Sequence, residues 1–129
     1  MAQAIRLPSV EKPWMQFFSE EAKNAEVPKE TIYSALTRRN KGHESNIALN
    51  FFDNKITYGQ LIEQANNAAS AFAKLGVKTG DTVACATITI PEAVYALYGL
   101  SKLGATALML DPRRSEEEFL SFIKSSGAR

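Results

Sequence analysis

The feature that most constrains this chain is a strand–helix–strand pattern between Thr82 and Leu110. Residues 82–88 are β-branched and apolar, as a buried strand requires. Pro91 can occupy the first turn of a helix, where its missing N–H costs nothing. Val94, Leu97, Tyr98, Leu100 and Leu103 then recur on one helical face, and Gly104 ends it. Residues 106–110 form the second strand. Two strands joined by a helix cannot be antiparallel neighbours in a hairpin, so the unit is expected to be parallel with a right-handed crossover. The fold class is therefore α/β.

The flanking sequence extends the pattern. Residues 47–52 read as a strand that returns at 55–57, with Asp53-Asn54 expected in the tight turn because both tolerate positive φ. Thr57 and Gln60 have the spacing of a capping box. Tyr58, Leu61, Ile62, Ala65, Ala69, Phe72 and Leu75 follow on one face, closed by Gly76. Thr31 opens a helix with Ile32, Ala35 and Leu36 at helical spacing, running to about Asn40. Ser115 and Glu118 repeat the capping-box spacing, with Phe119, Phe122 and Ile123 on the face behind them. Residues 1–13 form a flexible lead, since Pro8 and Pro13 resist helix and sheet. Trp14, Met15, Phe17 and Phe18 suit a short helix pinned on a core surface, while membrane contact is opposed by Glu20 and Glu21.

Composition excludes several functions. The 129 residues carry a formal net charge of +1, too little for a broad nucleic-acid or anionic-lipid footprint. Arg38, Arg39 and Lys41 make either a solvated face or a small phosphate patch. Cys85 is the single cysteine, which rules out an internal disulfide and fits a reducing, cytoplasmic compartment. It reads as a small buried hydrophobe. His43, the one histidine, follows Gly42 in a polar stretch and reads as exposed. One His and one Cys make metal binding improbable. No stretch reaches the roughly 18 apolar residues of a membrane span.

The search for chemistry finds little. A dinucleotide site needs glycines where the strand turns into the helix, and Thr87-Ile88-Thr89-Ile90-Pro91-Glu92 has none. The helix end could attract an anion, but Glu92 opposes it. There is no glycine-rich loop ending in Lys-Ser/Thr and no nucleophile-elbow serine. Asp111 is the best single candidate, because it follows a parallel strand at the end where ligands gather. The competing reading is a turn residue in Asp111-Pro112.

Several segments together resemble the N-terminal region of AMP-forming acyl-CoA synthetases, a superfamily that includes peptide-synthetase adenylation domains and luciferases. Ile56-Thr57-Tyr58-Gly59-Gln60-Leu61 is similar to that family's helix start, with Gln60 where Glu is usual. Residues 71–84, containing Leu75-Gly76-Val77-Lys78-Thr79-Gly80-Asp81-Thr82-Val83, resemble its leucine-glycine-valine and glycine-aspartate segment. Leu100-Ser101-Lys102-Leu103-Gly104-Ala105 and Leu110-Asp111-Pro112 resemble its next structural motif, and residues 119–129 the helix and turn after it, with Arg129 in a lysine place. Pro13-Trp14 and Pro28-Lys29-Glu30-Thr31-Ile32-Tyr33 are more like bacterial fatty-acyl-CoA ligases. Thr87-Ile88-Thr89-Ile90-Pro91 departs from the family's Leu-Pro-Asn-Ser-Pro.

The resemblance implies a truncated N-terminal subdomain at residues 14–129 and an incomplete α/β fold, the first part of the large domain of such a synthetase. ATP, Mg²⁺ and coenzyme A are implied for a full-length parent, and none for this fragment. The family's phosphate loop, adenine and ribose contacts, Mg-binding Glu and catalytic Lys lie further along, so no catalytic, cofactor-binding or metal residue is carried over. The expected partners are the remainder of the parent and a second copy joined at an open sheet edge. A non-catalytic binding module and an unrelated small nucleotide binder are the other readings.

Overall fold

The computed structural model describes residues 7–128; residues 1–6 of the expected flexible lead and Arg129 lie outside the described residues. The order is α1 (Pro8–Glu11), a 3₁₀ turn (Pro13–Phe17), α2 (Glu20–Lys23), α3 (Ile32–Arg39), β1 (Ile47–Phe51), β2 (Asn54–Thr57), α4 (Tyr58–Lys74), β3 (Thr82–Ala86), α5 (Pro91–Leu103), β4 (Thr106–Leu110) and α6 (Glu116–Ser126). The α/β class expected from sequence holds.

Within the lead, the expectation that Pro8 and Pro13 resist helix does not hold. Pro8 and Pro13 each stand in the first turn of a short helical piece instead of resisting one, with Lys12 in the left-handed region between them. A proline at a helix start has no hydrogen bond to lose and its φ is already helical. These pieces are only four and five residues long. Phe17 is 82% exposed, and Trp14 and Phe18 are also exposed, so the aromatic cluster is not pinned on a core surface.

Strands β1 and β2 form the expected antiparallel hairpin, but its turn is Phe52-Asp53. Both have positive φ, 48° and 64°, as a two-residue type I′ turn demands. Asn54 pairs with Phe51 instead of turning. Phe52 is 91% exposed and meets the Phe51 ring edge-on, with centroids 4.7 Å apart.

Helix α4 starts with a complete capping box. The Thr57 side chain accepts from Gln60 N, and the Gln60 side chain accepts from Thr57 N. Its inner face is Leu61, Ala65 and Ala69. Leu75, expected on that face, lies beyond the helix and is 77% exposed. The reason is the glycine cap. Gly76 at φ 83° reverses the chain, Gly76 N donates to Ala73 O and Val77 N to Phe72 O, and Val77 is buried in Leu75's stead.

Strands β3 and β4 pair in parallel, Thr82 with Thr106 through Ala86 with Leu110. β3 stops two residues short of the expected Ile88. The hairpin and the parallel pair are separate two-stranded sheets. The core lies between α4 and α5, and Leu100 of α5 is fully buried. Gly99 lets the two helices approach: a Cβ there would lie 2.9 Å from both Ala68 Cβ and Ala69 N.

Candidate functional site

The parallel pair aims the C-terminal ends of β3 and β4 at one groove of about 510 Å³. This is where open α/β sheets present ligands. The loop after β3 supplies Thr87, Ile88, Thr89 and Ile90, α5 supplies Ala93, Val94 and Leu97, and the chain leaving β4 supplies Met109 to Arg113. The wall is largely apolar because strand ends and the helix face carry the same branched residues that build the core.

Asp111 sits in this groove, and its carboxylate is already bound. Arg113 Nε donates to Oδ1 at 2.9 Å, Arg113 Nη2 to Oδ2 at 2.7 Å, and Arg113 N to Oδ1 at 3.0 Å. Arg114 N donates to the Asp111 carbonyl at 3.2 Å, closing a turn. The Arg113 side chain, helped by its backbone N–H, holds the Asp111 carboxyl well below the usual carboxylate range. A general base at neutral pH needs the opposite shift. The geometry favours the turn reading of Asp111 over a catalytic one.

Helix α5 meets the groove with Ile90 as N-cap, which offers no side-chain hydrogen bond, and with Glu92 in its first turn. Cys85 lies half-buried in β3, and burial pushes its thiol up, away from nucleophile chemistry. His43 is exposed in a turn, as expected. Among the described residues, no group of three or more His, Cys, Asp or Glu could hold a metal ion.

The remaining motif residues hydrogen-bond to one another across the fold. Gly80 N donates to Gly104 O at 2.9 Å, Thr79 Oγ1 to Leu103 O at 2.8 Å and Thr106 N to Asp81 O at 2.8 Å. Asp81 Oδ2 accepts from Lys78 N. The glycine-aspartate loop is thereby clasped to the end of α5. A polar cluster that sequence reasoning missed joins three helices. Tyr33 N donates to Ser101 Oγ, Tyr33 Oη donates to Asn66 Oδ1 at 2.6 Å, and Lys102 Nζ reaches the same oxygen while lying over the Tyr33 ring. Its sequence signals were Ser101 and Lys102 within the 100–105 motif and Tyr33 at the end of the 28–33 segment.

The sequence model of the family described as AMP-binding enzyme matches residues 36–129. The chain belongs to that family. Bacitracin synthase 3 of Bacillus licheniformis is 31% identical over 104 residues, covering 81% of this chain and 2% of that protein. Acetyl-coenzyme A synthetase 1 of Candida albicans is 48% identical over 50 residues, covering 39% of this chain and 7% of that one. The N-terminal subdomain of NpsA from Klebsiella oxytoca superposes with a TM-score of 0.73 at 25% identity, over 78% of this chain and 26% of that chain. This chain thus spans a small fraction of the AMP-binding enzymes it matches, and its fold is that of their N-terminal part.

The β3–α5 junction lacks a glycine, Glu92 opposes an anion at the start of α5, and the Asp111 carboxylate is taken by Arg113. Among the described residues no helix is long and apolar enough to cross a membrane.

Proposed function

We propose that this chain is the scaffold portion of an ATP-dependent acid–thiol ligase with a fatty acid substrate, and that it is inactive alone. The observation that carries the proposal is the family match over residues 36–129. The 48% identity to an acetyl-coenzyme A synthetase supports a thiol as acyl acceptor. The resemblance of Pro13-Trp14 and residues 28–33 to fatty-acyl-CoA ligases supports the fatty acid. The parent would join a carboxylate to AMP with release of pyrophosphate, then pass the acyl group to coenzyme A. A mixed anhydride gives the thiol a good leaving group. No step of that reaction runs through the described residues. Their contribution is the apolar wall of Ile88, Ile90, Val94, Leu97 and Met109 at the strand ends.

The partners in this reading are the remainder of the parent and, for the isolated chain, a second copy. Nucleic acid is not among them, in keeping with the small net charge. A cytoplasmic location fits the single cysteine.

The test begins with the gene. Reading it past the codon for Arg129 should show an open frame carrying a Ser/Thr/Gly-rich loop with a lysine. The full-length product should exchange pyrophosphate into ATP only with fatty acids and form a thioester when coenzyme A is added. Exchange driven by amino acids, with no thioester, would overturn the acid–thiol reading. Carboxylate-dependent AMP release by the 129-residue chain would overturn the scaffold reading.

A further inference from the structure

A second groove, of about 400 Å³, lies where α3, β1, α4 and the start of α5 meet. Ile32, Leu36 and Val94 give it an apolar surface over the buried Leu61, and Arg39, Tyr58 and Tyr98 line it as well. Those three polar residues share a property. Neither hydroxyl nor the guanidinium has a hydrogen bond or ion-pair partner among the described residues. The neighbouring cation is different: Arg38 occupies both carboxylate oxygens of Glu30 through Nη2 and Nε. Glu30 lies near enough for the charge of Arg39 to help hold its carboxyl low, yet its oxygens are already engaged.

We propose that the groove lined by Arg39, Tyr58 and Tyr98 binds a small monocarboxylate with a short apolar tail. A guanidinium presents a planar fork of donors that matches a carboxylate, and two phenolic hydroxyls can add donors around it. The apolar surface of Ile32 and Leu36 suits the tail. The volume is at the low end of the roughly 300–1,000 Å³ typical of small-molecule sites, which limits the tail to a short one. The complement is a single negative charge. A cationic ligand would face Arg39 with no free carboxylate opposite it. This site is independent of the proposed reaction, although Val94 borders both grooves.

The experiment is a two-dimensional NMR titration of the chain with sodium octanoate at pH 7, below its micelle concentration, with 1-octanol as the uncharged probe. Saturable shifts are expected at the methyl groups of Ile32 and Leu36. Octanol should bind at least about tenfold more weakly, the loss of one charge-assisted contact. Arg39→Gln should weaken octanoate about tenfold, and Tyr98→Phe should weaken it by a smaller factor with the ring retained. Lys41→Gln, which removes an equal charge outside the groove, should leave affinity unchanged. The proposal fails if no saturable shift appears at Ile32 and Leu36, or if octanol binds as tightly as octanoate. It also fails if Lys41→Gln matches Arg39→Gln, or if the shifts centre on Ile88 and Met109. The octanol comparison needs no variant, so a folding defect in Arg39→Gln leaves the test intact.

Discussion

A Cβ on Gly99 would stand 2.9 Å from the backbone nitrogen of Ala69, so α5 meets α4 backbone to backbone at that point. Two effects oppose each other in Gly99→Ala. Alanine favours the helix by roughly 1 kcal/mol over glycine. The added methyl also strikes Ala68 Cβ at 2.9 Å and the Ala65 carbonyl at 3.1 Å, two of these three contacts being with backbone that cannot swing away. Overpacking of this kind costs about 1–3 kcal/mol, and the steric term should win. Urea denaturation should show a lower midpoint for Gly99→Ala with an unchanged slope. An equal or higher midpoint would mean that the helices separate at little cost.

Gly80 and Gly104 separate backbone strain from crowding. Both have positive φ, 87° and 73°. A Cβ at Gly80 would meet nothing within 4 Å, whereas one at Gly104 would lie 2.9 Å from Thr79 Cγ2. Gly80→Ala should therefore cost only the left-handed penalty, about 1–2 kcal/mol. Gly104→Ala should cost more, because it also pushes on the Thr79 clasp to Leu103. Trimming the contact in a Thr79→Ser, Gly104→Ala pair should return the cost towards that of Gly80→Ala. Equal losses for the two single variants, measured by denaturant melts, would refute the crowding argument.

The elements that could be read from sequence are those with local chemical causes. Thr57-Gln60 and Ser115-Glu118 make both of their capping boxes. Gly104 and Gly127 end their helices in the left-handed conformation. The parallel pairing followed from the length of the crossover. The misreadings arose where two local solutions compete. Asp53-Asn54 has the better turn composition, yet the register Phe51 to Asn54 moved the turn onto Phe52. Leu75 kept the helical spacing, but the cap at Gly76 gave its buried place to Val77. The groove at the strand ends was anticipated through Asp111 alone. Its apolar wall and the Tyr33–Asn66–Lys102 cluster depend on contacts between distant segments that no spacing reveals.

Asp111 offers a direct titration. Its carboxyl is held low by Arg113, so any stability from the pair is present above the ordinary carboxylate range. That contribution should fade only as pH falls below the ordinary value of 3.8 towards the depressed one. The carboxyl ¹³C signal of Asp111 should stay constant from neutral pH to below 3.8, then begin to move. In Arg113→Gln, which removes the side-chain donors and keeps the backbone N–H on Oδ1, the titration should move up towards the ordinary range. A normal midpoint in the unmodified chain would show that the Arg113 contact is not held in solution.

The isolated chain should self-associate. Each strand of the β3–β4 pair has one partner among the described residues, which leaves a row of backbone groups open on its other side. On that sheet Met109 of β4 is 44% exposed, and Ile88, just past β3, also shows apolar surface. Open edges flanked by apolar side chains favour pairing with another copy. Light scattering should give a dimer or larger mass that rises with concentration. Met109→Lys places a charge on β4 and should shift the population towards monomer, because burying an unpaired ammonium opposes the contact. A monomer mass held at high concentration would mean that the strand edges are shielded in solution. Association left untouched by Met109→Lys would place the contact elsewhere, with the exposed Trp14, Phe17 and Phe18 as the next surface to alter.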